Sequence, residues 1–497
     1  MPVARHVFLS TLLLIILPGL SACLKSERLE PDQRPTPLLL ISIDGFRHDY
    51  FDLTPTPALD RLRQEGLVAD SLKQVFPTKT FPTHYSLVTG LYAGSHGVMA
   101  NSMWDPDRNE RFSLGNRDAV GDGYWYGGEP IWVSAENQGL ISATFFWPGS
   151  EARIAGVRPT HWKPYDGSVA HADRIIQVLE WFALPVAERP SFVTLYFSRV
   201  DSQGHRHGPA SPEVLSAIED VDHHLGNLID GLQELGLFDE MNIVIVSDHG
   251  MSEVDLDRYI MLDDYLDLSR VRVSDWGPAA QIWATDMSVD DIFKALDGAH
   301  PRLRVWRRDD IPARYHFSGH RRTPDVLAEA DNGWMISNKP YMAGRTRFSL
   351  MGMHGWDPAW QESHGIFLAR GPDFPRGARM PAVRSVDLYS LFARLLEIEP
   401  APNDGSLYAL EPYLSAASVP PVSTDHLDCQ GTPMRLRHGL HHAALHIGDA
   451  IYVLDRVNSA DAPVRQFVAT DVRLELSDRG AQAIIDGQLH GPCQWTQ

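Results

Sequence analysis

The sequence predicts an α/β fold: a mostly parallel sheet with helices on both faces, plus an insertion and a small C-terminal appendage. Two observations carry the prediction. Short apolar runs without polar alternation recur along the chain, as strands buried on both faces require. Between them lie stretches whose apolar residues recur every three or four positions, the pattern of one buried helix face. Strands alternating with helices give a parallel sheet covered on both sides.

Leu38–Ile43 is the first such run. Pro57–Gly66 reads as a helix with Leu59 and Leu62 inward, and Ala143–Trp147 and Val193–Val200 read as further strands. Ser211 as N-cap and Pro212 in the first turn open a long helix. Its apolar face runs through Val214, Ile218, Val221, Leu225, Leu228, Leu232 and Leu235, and Gly236 closes it. Asn242–Ser247 is another buried strand, and Ser385–Glu397 a late helix. In such sheets, sites form beyond the carboxyl ends of the strands.

The chain has 497 residues, a length that suggests about three domains. Hydrophobic residues make up 43%, enough for a core that needs no staples, which excludes disordered and disulfide-scaffold classes. A net charge of −20 argues against general nucleic-acid binding, which wants a basic stripe. Positive charge for an anionic ligand must then be local, and bound metal ions supply it.

Residues 1–22 read as a signal peptide, with Arg5 before an apolar run from Val7 to Leu20 that is too short to span a membrane comfortably. Leu20-Ser21-Ala22-Cys23 resembles a bacterial lipobox, which implies a lipid on Cys23 and an exported, periplasmic, membrane-anchored protein. A plain signal peptide ending in Cys is the alternative. Residues 23–37 then form a polar tether. Only Cys429 and Cys493 remain, and in an oxidising compartment they are expected to pair.

Four clusters sit where strands end. They are Asp44 in Ile43-Asp44-Gly45, Asp201 and His205 in Asp201-Ser202-Gln203-Gly204-His205, Asp248-His249, and His354 between glycines. Each alone is weak, since an Asp at a strand end is most often a cap. Together, three Asp and three His supply ligands for two divalent ions, and carboxylate plus imidazole without thiolate suits zinc, with manganese and iron as alternatives. Thr80 precedes a short helix at about Pro82–Thr89, where free N–H groups attract an anion. A Thr hydroxyl needs a base or metal to act as a nucleophile. Taken alone, Thr78 or Thr80 reads better as a simple N-cap.

The whole series resembles the nucleotide pyrophosphatase/phosphodiesterase family of the alkaline phosphatase superfamily, in its bacterial type. It comprises Ile-Asp-Gly-Phe-Arg (43–47), Pro-Thr-Lys-Thr-Phe-Pro (77–82), Asn-Ser-Met-Trp-Asp-Pro (101–106), Phe-Trp-Pro-Gly-Ser (146–150), Asp-Ser-Gln-Gly-His (201–205), Ser-Asp-His-Gly-Met (247–251) and Gly-Met-His-Gly (352–355). The match runs from about 38 to 413 and implies an alkaline-phosphatase-like catalytic domain, with an insertion at about 255–350 and a β-rich appendage at 424–497.

The resemblance implies two zinc ions. One is held by Asp201, His205 and His354, the other by Asp44, Asp248 and His249 with Thr80 as further ligand and nucleophile. Asn101 matches a donor to the phosphoryl oxygen beside the Phe81 N–H. Phe81 and Tyr165 match residues that sandwich a nucleobase, Tyr196 a further slot residue, and Lys79 a nearby positive charge. The implied activity is hydrolysis of nucleotide phosphodiester or phosphoanhydride bonds to nucleoside monophosphates through a covalent threonine intermediate. Choline- or phospholipid-type phosphodiesterase activity is the alternative within the family, and a metal-binding surface protein without activity the alternative outside it. Where the family often has Asn after Phe-Pro, this chain has Thr83, outside the ligand set.

Overall fold

A computed structural model of the chain describes residues 28–30, 33–346 and 350–415 with their side chains, and strands between 425 and 496 as backbone. The leader and Cys23 lie outside the described residues. Among those described, no helix is long and apolar enough to cross a membrane.

The main sheet has eight strands. They are β1 (Leu38–Ile43), β2 (Leu67–Ala69), β3 (Ser142–Phe145), β4 (His161–Lys163), β5 (Phe192–Phe197), β6 (Asn242–Val246), β7 (Phe367–Arg370) and β8 (Ala378–Met380). Their order is β8-β2-β7-β6-β1-β5-β3-β4. β1 is parallel to both neighbours, with Ile41 opposite Leu195 and Ile245. Only β7 runs antiparallel to its neighbours β6 and β2.

Successive side chains of a strand point to opposite faces, and β1 shows why an unbroken apolar run is needed here. Leu38 and Leu40 enter one core, and Leu39, Ile41 and Ile43 the other. The first core is covered by α2 (Thr80–Thr89) and α6 (Asp387–Leu395), the second by α1 (Pro57–Glu65), α3 (His171–Phe182) and α5 (Pro212–Glu234). Ser211 caps α5 by accepting from the Val214 N–H, and Gly236 follows it with φ +70°.

Two of the boundaries that differ from the sequence reading position the site. The strand expected to reach Val200 stops at Phe197, and α4 (Arg199–His207) begins at once. A short apolar stretch does not distinguish a strand end from a helix start, and Val200 is buried in the helix. Asp201 and His205 therefore sit one turn apart on α4. Helix α2 begins at Thr80, not Pro82, and neither Thr78 nor Thr80 caps it with its side chain.

The insertion forms its own layer. An antiparallel sheet of Val271–Asp275, Ala279–Ala284, Val326–Ala330 and Leu303–Arg307, in that order, is covered by the helix Val289–Leu296 around Ile282, Ile292 and Leu296. The C-terminal strands from Asp425–Cys429 to Gln488–Thr496 form a closed eight-stranded antiparallel barrel. The described part of the expected tether is not free. Arg28 pairs with Glu136 at 2.9 Å, and Arg34 donates to the carbonyls of Val186, Ala187 and Arg189.

Candidate active site

Residues just beyond the carboxyl ends of β1, β3 and β5 and the first turns of α4 line one cavity of about 340 Å³. Asp44 directly follows β1, and its carbonyl accepts from the Asp201 N–H at 3.0 Å. This close approach needs Gly45: its φ is +70°, and a Cβ there would stand 2.9 Å from Asp201. The Gly45 N–H donates to Asp248 at 3.2 Å. His354 arrives on the loop that leaves the insertion and is held by Thr78, whose hydroxyl donates to the Trp356 carbonyl.

Each of the three histidines is oriented by the backbone. Nδ1 of His205 faces the Gly352 carbonyl at 2.8 Å, that of His354 the Thr78 carbonyl at 2.8 Å, and that of His249 the Gly250 carbonyl at 2.9 Å. A carbonyl accepts only, so a proton sits on Nδ1 and Nε2 is the nitrogen left to face the site. The three Nε2 atoms turn toward carboxylates. His205 lies 3.2 Å and His354 3.6 Å from Asp201 Oδ1, and His249 lies 3.3 Å from Asp44 and 3.0 Å from Asp248.

Electrostatics sharpen the picture. Burial, then the Asp248 and Asp201 carboxylates, push Asp44 well above the usual carboxylate range. Burial also opposes ionisation of Asp201, but His205, His354 and His249 outweigh it and hold that carboxyl at about 2. Burial lowers His205, and Asp201 overcomes it, pushing the imidazole up to about 9. Four ligand-type atoms, Asp44 Oδ1, Asp201 Oδ1, Asp248 Oδ2 and His249 Nε2, are buried without a hydrogen-bond partner. Buried acceptors without donors are costly, and a cation satisfies all four. The residues therefore fit a metal centre. Asp201, His205 and His354 form one compact set and Asp44, Asp201 and His249 another, with Asp248 in contact with His249.

Thr80, Phe81, Asn101, Tyr165 and Tyr196 line the same cavity as Asp44, Asp201, His205 and His354. The Phe81 N–H donates to Asn101 Oδ1 at 2.9 Å, so that Asn101 presents its amide N–H groups elsewhere. Tyr165 is 43% exposed and packs edge-on against Phe146 at 5.1 Å, leaving ring surface open to a ligand.

The chain matches the family described as Type I phosphodiesterase / nucleotide pyrophosphatase over residues 38–357. It belongs to the nucleotide pyrophosphatase/phosphodiesterase family. Human ectonucleotide pyrophosphatase/phosphodiesterase family member 5 is 38% identical over 389 residues, covering 78% of this chain and 80% of that protein. Rat family member 1 is 37% identical over 425 residues, covering 80% of this chain but only 46% of that protein. The solved structure of murine member 5 superposes with a TM-score of 0.73 at 38% identity, covering 76% of this chain and all of that one. The same murine protein has been solved as an inactive threonine-to-alanine variant in complex with AMP. The likeness makes the fold alkaline-phosphatase-like and this member of the family a hydrolase of the phosphodiesterase and nucleotide pyrophosphatase class.

One expected residue is corrected. Lys79 does not line the cavity. It is buried, and Nζ donates to the Asp275 carboxylate and to the Trp276 carbonyl of the insertion. A buried ammonium takes its nearest carboxylate, and the insertion provides one.

Other residues escaped the sequence reading. His84 lies one turn after Thr80 on α2, with Nδ1 2.9 Å from the Thr80 carbonyl and 3.2 Å from Asp248. Its spacing of four from Thr80 was the available signal. Arg117 and Glu151 form an ion pair on the cavity wall, and Glu151 accepts from the Tyr165 N–H at 3.1 Å. Nothing in their local sequence marks them.

Proposed function

We propose that the chain is a two-zinc phosphodiesterase that cleaves phosphodiester or phosphoanhydride bonds of nucleotides and releases nucleoside monophosphates. One observation carries this reading: four unsatisfied ligand atoms cluster together, and Asp44 and Asp201, which carry two of them, line a cavity that also holds Thr80, Phe81 and Tyr165. Asp201, His205 and His354 would hold one zinc and Asp44, Asp248 and His249 the other. When bound, the ions supply positive charge for the phosphoryl oxygens and acidify a hydroxyl or water.

The protein's own groups do the rest. Thr80 is the first residue of α2, at the positive end of the helix dipole, which favours an anion. Its hydroxyl loses a proton to solvent, and its oxygen bonds to phosphorus as the bond to the leaving alcohol or pyrophosphate breaks. Water then attacks the phospho-threonine, freeing the monophosphate and restoring Thr80. Asn101 donates to a phosphoryl oxygen, and Phe81 and Tyr165 stack the base, each face contributing ~1–3 kcal/mol.

Purified, zinc-loaded protein should hydrolyse the nitrophenyl ester of a nucleoside monophosphate, lose that activity with chelator, and lose it in Thr80→Ala. A wide preference for nitrophenyl phosphocholine would overturn the nucleotide reading.

The leader supports a second part of the proposal, that the protein is a bacterial lipoprotein exported to the periplasmic side of a membrane and anchored through Cys23. Cys23→Ala should move it from the membrane fraction to the soluble one.

A further inference from the structure

A second cluster of metal-type ligands lies outside the cavity described above. His171 is the first residue of α3, and Asp220 and His224 stand one turn apart on α5, where the two helices pack. His171 Nδ1 is 3.1 Å from one Asp220 oxygen, and His224 Nε2 is 3.9 Å from the other. The two rings meet edge-on, with centroids 5.4 Å apart. One ligand atom from each residue falls within 4.8 Å of the others. Around a tetrahedral zinc, with bonds of about 2.0–2.2 Å, ligand atoms stand roughly 3.4 Å apart. The His171–Asp220 contact at 3.1 Å is near that spacing, and the His224–Asp220 contact at 3.9 Å is somewhat longer.

The remaining nitrogen contacts are informative. His224 Nδ1 is buried without a hydrogen-bond partner. His171 is wedged against Phe197, its ring edge-on at 4.9 Å, so its direction is set by packing. Arg199 competes for Asp220 at 3.7 Å, but its side chain is half exposed, and such a pair is weak enough to part.

We propose that His171, Asp220 and His224 form a third divalent-metal site, separate from the catalytic pair and suited to zinc. Two imidazoles and one carboxylate are the donors zinc takes, and its fourth position opens onto a cavity of about 480 Å³. Ser198 and Ser202 line both this cavity and the catalytic one. They flank Asp201 at the start of α4. An ion here ties α3 to α5 directly behind the helix that carries Asp201 and His205.

The test counts metal and does not depend on turnover. Full-length protein is stripped with chelator, reloaded with zinc alone at micromolar free concentration, desalted and analysed for zinc. Wild type should carry one zinc per chain more than Asp220→Asn and one more than His224→Gln. The same difference of one should separate Asp201→Asn from the double variant Asp201→Asn/His224→Gln, whatever the catalytic cavity holds. Melting temperatures in chelator should match wild type, and zinc should raise that of wild type more than that of either variant. Equal zinc contents overturn the proposal, and so does a variant that melts lower in chelator without losing a zinc, since the cluster then only packs α3 on α5.

Discussion

The Tyr196 hydroxyl donates to the Asp44 carboxylate, joining a residue inside β5 to one at the end of β1. Both side chains are buried, so the bond is shielded from water. Tyr196 also meets Tyr165 at 6.2 Å, edge-on. One side chain thus joins the acidic cluster to the exposed aromatic wall. Groups that hold a metal ligand from behind typically alter metal affinity 10–100-fold when removed. Tyr196→Phe should weaken zinc retention by about that factor with little change in fold. Competition against a graded chelator measures it, and unchanged retention would detach Tyr196 from the metal centre.

Phe81→Ala and Tyr165→Ala should each raise KM for a nucleotide ester by about 5- to 150-fold, from the ~1–3 kcal/mol of one stacking face. With a diester that carries no base, KM should stay near wild type. Parallel losses on both substrates would place these rings in the scaffold and not against a base.

Lys79 and Asp275 are paired in the interior, with the Lys79 side chain 4% exposed. Removing one partner of a buried pair leaves a charge uncompensated, at a cost of about 3–5 kcal/mol. Lys79→Met should lose stability of that order in urea unfolding, and Lys79→Met/Asp275→Leu should recover most of it. A higher KM at unchanged stability would instead give Lys79 a part in substrate binding.

Glu329 lies in the insertion, with its carboxyl accepting from the Tyr315 hydroxyl at 2.8 Å. Burial, against the pull of Arg304, pushes it from 4.5 up to about 7. The fold therefore favours the neutral acid. That contribution is complete below pH 4.5 and is lost as pH rises through 7, on the order of 3 kcal/mol. Glu329→Gln should flatten this part of the stability–pH curve and be the more stable form at pH 8. Chemical denaturation at intervals from pH 4.5 to 8 checks it.

In the barrel, Asp425–Cys429 pairs antiparallel with Gln488–Thr496, and Asp428 stands opposite Gln494. Cys429 ends the first of these strands and Cys493 lies in the second, so the pair expected from the sequence falls on neighbouring strands. Protein from an oxidising compartment should resist thiol alkylation until reduced, and Cys493→Ser should lower stability by about 2–5 kcal/mol. Two alkylatable thiols in the unreduced protein would refute the pairing.

The sequence by itself determined the layered α/β fold, because strands buried on both faces must be apolar throughout and covering helices must show one apolar face. It also marked Thr80 at a helix start and the six Asp and His residues that the fold brings together, since chemistry in such sheets gathers beyond strand ends. Only the tertiary structure decided where side chains turn. Lys79 adjoins Thr80 in sequence yet faces Asp275, 196 positions away. Tyr196 reaches Asp44, His84 reaches Asp248, and His171 meets Asp220 and His224, all across long stretches of chain. Local pattern sets which face of an element is buried. The partner met on that face depends on the packing of distant segments, which no local spacing encodes.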